Sequence, residues 1–241
     1  MNRWLYPEWH PHPKVRVLVS TRCAQVSPPP WDGFNLGLNT GDAPERVLAA
    51  RQQLWKHIAT KHAPHWLTQV HGVQVVEAGG AAAEADGVWS EGADQPCVVL
   101  TADCLPVLFA RLDGTKVAAV HAGWRGLAQG ILARAVELLA PQQEPLAAWV
   151  GPAISQGAYQ VGPEVYEALA SDPAAQACFI EDGLDHWRCD LASLAKVQLD
   201  TLGVQVTLSN LCTATDNQRR FYSYRKEGQT GRFASLIWLE P

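Results

Sequence analysis

Residues 97–123 constrain the fold most, because they carry apolar segments of strand length that meet at an Asp-Gly turn. The segments read CVVLTADC and LPVLFARLDGTKVAAVHAG, and the turn at Asp113 and Gly114 is typical of a hairpin. A helical pattern, GLAQGILARAVELLA at 126–140, follows directly. Hairpin strands followed at once by a helix favour a layered sheet with helices on the outside.

The rest of the chain alternates loosely between strands and helices. Further strands are predicted at 15–21, 66–72, 146–154, 204–210 and 233–240, a short strand or turn at 85–90, and helices at 43–61, 162–170 and 191–203. Asp42 and Asp190 are predicted to cap the first and last of these helices, and Tyr222 and Tyr224 alternate as on a strand. With no repeat, low-complexity tract or linker, the pattern predicts one α/β domain (an α+β mixed sheet) over residues 1–241.

Composition excludes several classes of protein. A net charge of −5 and a pI near 5.9 argue against nucleic acid or an anionic membrane as partner. No apolar run reaches the length of a signal peptide or a membrane span, so we expect a cytoplasmic protein. The six cysteines form no CxxC pair, which argues against a zinc ribbon or a secreted disulfide scaffold and predicts free thiols.

Three residues, His71 in QVHG, Cys104 in TADC and His121 in HAGWRG, are typical of an incomplete zinc site. Two imidazoles and one thiolate are an accepted catalytic ligand set, and the open fourth position admits water or substrate. Two alternatives stay open at this point. The cysteine and histidines can be inert core and surface residues, or Cys104 and His121 can act without metal as the thiolate–imidazolium pair of a cysteine hydrolase.

Other residues suggest an anion site and a pocket wall. Arg125 lies in a glycine-flanked turn that enters a helix, where free backbone N–H groups favour phosphate, although the glycines can simply permit a tight turn. Arg225 offers a planar guanidinium that suits phosphate or carboxylate. Four of the ten tryptophans, Trp31, Trp66, Trp89 and Trp124, lie beside glycines or motif residues, where they can wall a pocket, although burial in the core is commoner.

A series of short motifs occurs in one order along nearly the whole chain. The series is FNLG, QVHG, ADG, TADC, HAGWRG, GP, SYR and TGR. It resembles the YfiH-like laccase-domain family, also described as multicopper polyphenol oxidases or purine nucleoside phosphorylases. The resemblance implies a layered fold related to cysteine-hydrolase-like toxins and a zinc, with copper possible, held by His71, Cys104 and His121. It also implies phosphorolysis of adenosine, inosine, guanosine and methylthioadenosine, deamination of adenosine, and a role in peptidoglycan editing.

On this basis we assign roles as hypotheses. Cys104, Arg225 and Asp103 are candidate catalytic residues, with Asp86 as an alternative to Asp103 for carrying a proton. Asn35 and Arg125 are candidates for substrate binding. Asp103 and Cys104 are adjacent, so a regular strand would point them to opposite faces. The expected partners are purine nucleosides and phosphate, and the expected state is a monomer or small homo-oligomer.

Three rival functions are weighed against this one. A multicopper oxidase needs more imidazoles than eight histidines provide, with one HxH pair at His10 and His12. A Cys104–His121 amide hydrolase agrees with peptidoglycan editing, and a non-catalytic nucleoside-binding protein would use the same pocket. The chain departs from the family pattern at RCAQVS (22–27), AARQQL (49–54) and YQV (159–161), which bears on loop shape and substrate preference but not on the three ligands.

Overall fold

The computed structural model describes residues 2–81 and 84–241. The strands are β1 (Trp4–Leu5), β2 (Val15–Ser20), β3 (Val75–Glu77), β4 (Gly87–Ser90), β5 (Cys97–Thr101), β6 (Leu105–Arg111), β7 (Val117–Ala122), β8 (Leu146–Val150), β9 (Gln160–Val161), β10 (Phe179–Glu181), β11 (Trp187–Cys189), β12 (Gln205–Leu208) and β13 (Phe233–Leu239). The α-helices are α1 (Pro44–Ile58), α2 (Trp124–Ala128), α3 (Ile131–Leu139), α4 (Pro163–Leu169), α5 (Pro173–Gln176), α6 (Leu191–Thr201) and α7 (Tyr224–Glu227). Single 3-10 turns lie at Leu38–Thr40 and Gln156–Ala158.

Two large sheets carry most of the strands. The first has the order β1-β2-β13-β5 and is antiparallel throughout. The second has the order β12-β8-β6-β7-β4-β3, in which the central pairs are antiparallel and the two outer pairs parallel. A small antiparallel sheet, β10-β11-β9, accompanies the helices that follow β8. The mixed sheet agrees with the predicted α/β (α+β) class.

Side-chain alternation along the strands explains why the sheets form layers. In β6, Val107 and Phe109 pack toward helices α3 and α6, whereas Leu108 and Ala110 pack toward the first sheet. The outer face of the first sheet packs Leu18 and Leu236 against Leu54 of α1. The order is therefore helix, sheet, sheet, helices, which confirms that the helices lie outside.

Most predicted elements are confirmed, including the hairpin β6–β7 across Asp113 and Gly114 and the strand β13. The predicted helix at 126–140 is instead two helices, because Gly130 adopts φ +86 and interrupts the hydrogen-bonding pattern. Asp190 caps α6 as predicted, with its carboxylate accepting from Ser193 N. The N-cap of α1 is Ala43 rather than Asp42, whose carboxylate accepts from Ala43 N instead.

Two strand predictions are wrong. Residues 66–72 form no strand but an irregular segment with a single bridge, at Thr68, and the backbone N–H groups of 70–72 donate to a side chain instead. Tyr222 and Tyr224 do not lie on a strand, since Tyr224 begins the short helix α7. Within residues 2–81 and 84–241, each helix is too short or too polar to span a lipid bilayer. One domain over 1–241 and a cytoplasmic location stay predictions.

Candidate metal centre and its cavity

Three side chains from separate segments meet where β5 gives way to β6. His71 comes from the irregular segment 66–72, Cys104 from the link between β5 and β6, and His121 from β7. One ligand atom from each lies within 4.8 Å of the other two, and Cys104 Sγ is 3.9 Å from His71 Nε2. The imidazole rings of His71 and His121 lie edge to face, with their centroids 4.7 Å apart. The sequence-predicted ligands are thus brought together in a group that can hold a metal ion.

Backbone turns direct two of these ligands. His71 has φ +62 and Asp103, just before Cys104, has φ +94, so neither stretch is a regular strand. Because the backbone turns at Asp103, the side chains of Asp103 and Cys104 need not point to opposite faces, as they would in a regular strand. Non-glycine residues with a positive φ are uncommon, and they often occur at functional sites.

The buried carboxylate of Asp86 organises the centre. Asp86 Oδ1 lies 2.7 Å from His121 Nδ1 and accepts from His71 N at 2.9 Å, while Oδ2 accepts from Val70 N and Gly72 N. Because Nδ1 of His121 faces this carboxylate, its Nε2 is the nitrogen left for a ligand role. One carboxylate therefore holds both the 70–72 turn and the His121 ring.

The electrostatics of the centre favour a thiolate. Burial raises the pKa of the Cys104 thiol, but the charge and hydrogen bond of His121, together with His71, outweigh it and lower the pKa to about 6. Burial lowers the pKa of His121, but the Cys104 thiolate and Asp86 outweigh it and raise that pKa to about 9. The two shifts favour a thiolate at Cys104 beside a protonated His121, and the thiolate is the form that binds metal.

Gly123 allows the close approach of two ligands. A Cβ at this position would lie 2.9 Å from His71 Cδ2 and 3.1 Å from Cys104 Sγ. Any side chain there would push these ligands apart. The glycine that the sequence suggested for a tight turn therefore also makes room for the metal centre.

The three ligands open into a cavity of about 630 Å³, within the usual size range of small-molecule sites. Its walls include the 37–40 loop, Trp66, Leu100 and Tyr224. Two arginines, Arg51 from α1 and Arg232 from the segment before β13, also line it. Trp66 agrees with the suggestion of a pocket wall, whereas Trp31, Trp89 and Trp124 do not line this cavity.

The structure places the other candidate catalytic residues beside this cavity rather than on its wall. Asp103 accepts from Thr213 Oγ1 at 2.5 Å and from Arg225 N at 2.6 Å. Arg225 donates from Nη1 to Gln160 O and stacks on Tyr159. Asp103 therefore ties the segment after residue 222 to the Cys104 turn, and both side chains are engaged within the protein.

The two predicted substrate-binding residues also lie off the cavity wall. Asn35 is fully buried; its Nδ2 donates to Thr40 Oγ1 and Asp42 Oδ2, and its Oδ1 accepts from Gly37 N and Arg232 N. It thus shapes the 37–40 loop that lines the cavity. Arg125 is exposed on α2 and stacks on Trp124.

Sequence reasoning missed Arg51 and Arg232 as site residues. Arg51 lies inside the predicted helix 43–61, where a charged residue normally indicates a solvated face. Arg232 lies in TGR, one of the motifs that carried the family resemblance. That motif was the available signal for Arg232, whereas nothing in the local pattern distinguishes Arg51.

Comparison with known proteins places the chain in a family. The multi-copper polyphenol oxidoreductase laccase family matches residues 16–240. This chain belongs to that family. A purine nucleoside phosphorylase of Pseudomonas aeruginosa is 43% identical and aligns over 100% of both chains. The purine nucleoside phosphorylase YfiH of Escherichia coli is 44% identical over 99% of this chain and 100% of its own.

Solved structures of the family share the fold. A crystal structure from Neisseria meningitidis superposes with a TM-score of 0.93 at 38% identity, covering 100% of both chains. That of YlmD from Geobacillus stearothermophilus gives a TM-score of 0.92 at 26% identity, covering 100% of this chain and 97% of the other. The predicted resemblance and fold class are confirmed, and the curated relatives bear the names of enzymes.

Proposed function

We propose that this chain is a zinc-dependent purine nucleoside phosphorylase that acts on adenosine, inosine, guanosine and methylthioadenosine and also deaminates adenosine. The observation that carries the proposal is the group of His71, Cys104 and His121 at the wall of a nucleoside-sized cavity. The reaction class comes from the names of full-length relatives.

The donor set fits zinc. Two imidazoles and one thiolate match a catalytic zinc site with an open position, and the Asp86 carboxylate behind His121 is the usual outer partner of a metal-binding histidine. When bound, zinc supplies Lewis acidity at the cavity wall. Imidazole and thiolate also bind copper, so metal analysis of the purified protein decides between the two ions.

Phosphorolysis makes and breaks one bond each at the sugar. An oxygen of hydrogen phosphate bonds to C1′ while the bond from C1′ to the base nitrogen breaks and its electron pair goes to the base. The proton that the hydrogen phosphate gives up passes to the departing base. The products are the free purine and a pentose 1-phosphate. The side chains of Trp66, Leu100 and Tyr224 on the cavity wall provide surfaces for the base and sugar.

For deamination, the roles we assigned to Asp86 and Asp103 change. Asp86 is engaged by three backbone N–H groups and His121, and Asp103 by Thr213 and Arg225. Both are proposed to position other residues rather than carry protons. No Asp or Glu is found among the described residues that line the cavity, so no cavity carboxylate is assigned to proton transfer, which is left to water.

Chromatography of adenosine incubated with zinc-assayed protein, with and without phosphate, tests the proposal. We expect phosphate-dependent adenine or phosphate-independent inosine, both absent from His71→Ala. Unchanged adenosine at full zinc occupancy would contradict it.

A cysteine-type hydrolase linked to peptidoglycan editing is the second candidate, favoured by the lowered pKa of Cys104 beside His121. Cys104→Asp separates the two functions, because a carboxylate can still bind metal but cannot replace a thiol nucleophile. Activity retained in metal-loaded Cys104→Asp supports the zinc enzyme, and its complete loss at full metal occupancy supports the hydrolase.

A multi-copper oxidase receives less support. Among the described residues, one group of three or more His, Cys, Asp or Glu side chains has metal-ligand spacing. A multi-copper cluster needs several such groups of imidazoles. Phenol oxidation that depends on added copper would contradict this reasoning.

A further inference from the structure

Two arginines on the cavity wall have guanidinium groups that no carboxylate neutralises. Within residues 2–81 and 84–241, neither Arg51 nor Arg232 has an acidic oxygen within 4.0 Å, and no Asp or Glu lines the cavity. Several arginines elsewhere in the chain are paired with carboxylates, such as Arg22 with Glu227 and Arg220 with Asp216. Apart from the Cys104 and histidine group, the charged side chains of the lining are these two arginines, and a cationic wall attracts anions.

Arg51 is held in place by the protein. Its Nε donates to Leu36 O at 2.9 Å, and its Cζ lies 3.9 Å from the ring centroid of Trp66. These contacts orient the guanidinium plane, and neither terminal nitrogen has a hydrogen-bond acceptor among the described residues. Burial lowers the pKa of Arg51 to about 10, so the group stays charged at neutral pH in a partly desolvated position.

Arg232 is held in place by its own segment and by the 37–40 loop. Its Nη1 donates to Thr230 O and Gly231 O, and its backbone N–H donates to Asn35. A Cβ on Gly37 would lie 2.8 Å from Arg232 Cγ, so the glycine lets the arginine lie against the 37–40 loop. In the described part of the chain, Nε and Nη2 have no protein acceptor.

We propose that Arg51 and Arg232 form an anion subsite that binds phosphate oxygens in the cavity next to the metal centre. Fixed, partly desolvated guanidinium groups without carboxylate partners are suited to a planar, two-bonded contact with phosphate. The assignment to phosphate rests on the proposed phosphorylase function. It replaces Arg225 and Arg125 as phosphate ligands, because neither of them lines the cavity.

Calorimetric binding of inorganic phosphate to the zinc-loaded protein, with no nucleoside present, tests the subsite without any turnover. We compare Arg51→Gln and Arg232→Gln with Arg134→Gln, an exposed arginine on α3. Loss of a charge-assisted contact is expected to weaken binding by roughly tenfold or more in the first two variants and to leave the third unchanged. Arg51→Lys keeps the charge without the planar group, and we expect it to bind with intermediate affinity. Equal phosphate binding in all variants overturns the proposal.

A second arm distinguishes the source of the phosphate group and separates this proposal from the phosphorylase function. Inosine 5′-monophosphate is titrated beside inorganic phosphate. Binding of inorganic phosphate that requires both arginines supports the subsite, even if no nucleoside is cleaved. Binding of the monophosphate alone, lost in the same variants, keeps the subsite but contradicts phosphorolysis. If neither ligand binds the folded wild-type protein, the subsite is wrong.

In active protein we expect the phosphate KM to rise in both variants, with little change in the nucleoside KM.

Discussion

Asp86 controls the metal centre without reaching the cavity. We predict that Asp86→Asn weakens zinc binding by about 10- to 100-fold, because outer partners of metal-binding histidines fix their orientation. Zinc affinity is measured by competition with a chelator. Asp185→Asn, at an exposed turn, is the matched control and should bind zinc like the wild type. Wild-type affinity in Asp86→Asn would contradict the assignment.

Gly123 is a second residue on which the centre depends. We predict that Gly123→Ala folds but lowers zinc occupancy, because the new Cβ would contact His71 and Cys104 at 2.9 and 3.1 Å. Metal content per folded molecule is the measurement. Gly157→Ala, where a Cβ meets nothing within 4 Å, should retain full occupancy. Equal occupancy in both variants would show that the ligands tolerate the methyl group.

The three ligands could be predicted from the sequence because soft and borderline donors in short glycine-containing motifs have a limited set of uses. Arg51 could not, because its role depends on Trp66 and Leu36, which lie 15 residues away on either side and meet it only in the folded chain. Asp86 was suggested as a proton carrier. Its hydrogen bonds to residues 70–72 and to His121 indicate a positioning role instead.

At the level of elements, α6 begins where the sequence predicts. We expect Asp190→Ala to destabilise the protein by about 1 kcal/mol, because Ser193 N loses its side-chain acceptor at the helix N-terminus. Urea unfolding measures the change. Asp200→Ala, an exposed partner of Lys196 on the same helix, should cost no more than about 0.5 kcal/mol. Equal losses in the two variants would exclude a capping effect.

The segment from Tyr222 to Arg232 is anchored by a pH-dependent contact. Burial raises the pKa of Glu227, but hydrogen bonds from Thr230 and Arg22 outweigh it and hold the pKa below its usual 4.5. The ionised Glu227 carboxylate therefore stabilises the fold above about pH 4.5. This stabilisation is lost as the pH falls below that value and the carboxylate takes up a proton.

We predict that Glu227→Gln destabilises the protein at pH 7 by about 1 to 3 kcal/mol, and that the difference from wild type shrinks between about pH 5 and pH 3. Urea unfolding across this range measures it. Glu137→Gln, in an exposed pair with Arg134, is the control and should show little difference at any pH. A pH-independent loss in Glu227→Gln would argue against the ion pair.

Element prediction failed where side chains replaced backbone pairing. The apolar residues of 66–72 suggested a strand, yet the N–H groups of 70–72 donate to Asp86 and Gln69 pairs its amide with the backbone of Leu100. These partners are distant in sequence, so local periodicity cannot reveal them.

At the scale of the molecule, the three candidate metal ligands come from different parts of the chain, so a bound ion would link their segments. We predict that zinc at about 100 times its Kd stabilises the protein by roughly 2.7 kcal/mol, because the ion binds the folded state preferentially. A chelator should lower Tm in the wild type and leave His71→Ala unchanged. The same Tm with and without zinc in the wild type would contradict a metal site on these ligands.

The amino-acid sequence alone determined the α/β class, the hairpin β6–β7, the outer position of the helices, the family and the three ligands that could hold a metal. These follow from local periodicity, turn chemistry and short motifs, which operate over a few residues. The tertiary structure decided that the ligands meet, that Asp86 supports two of them, and that Arg51 and Arg232 face one cavity. These features depend on the order of strands in two stacked sheets and on side-chain contacts between distant segments, which no local pattern encodes.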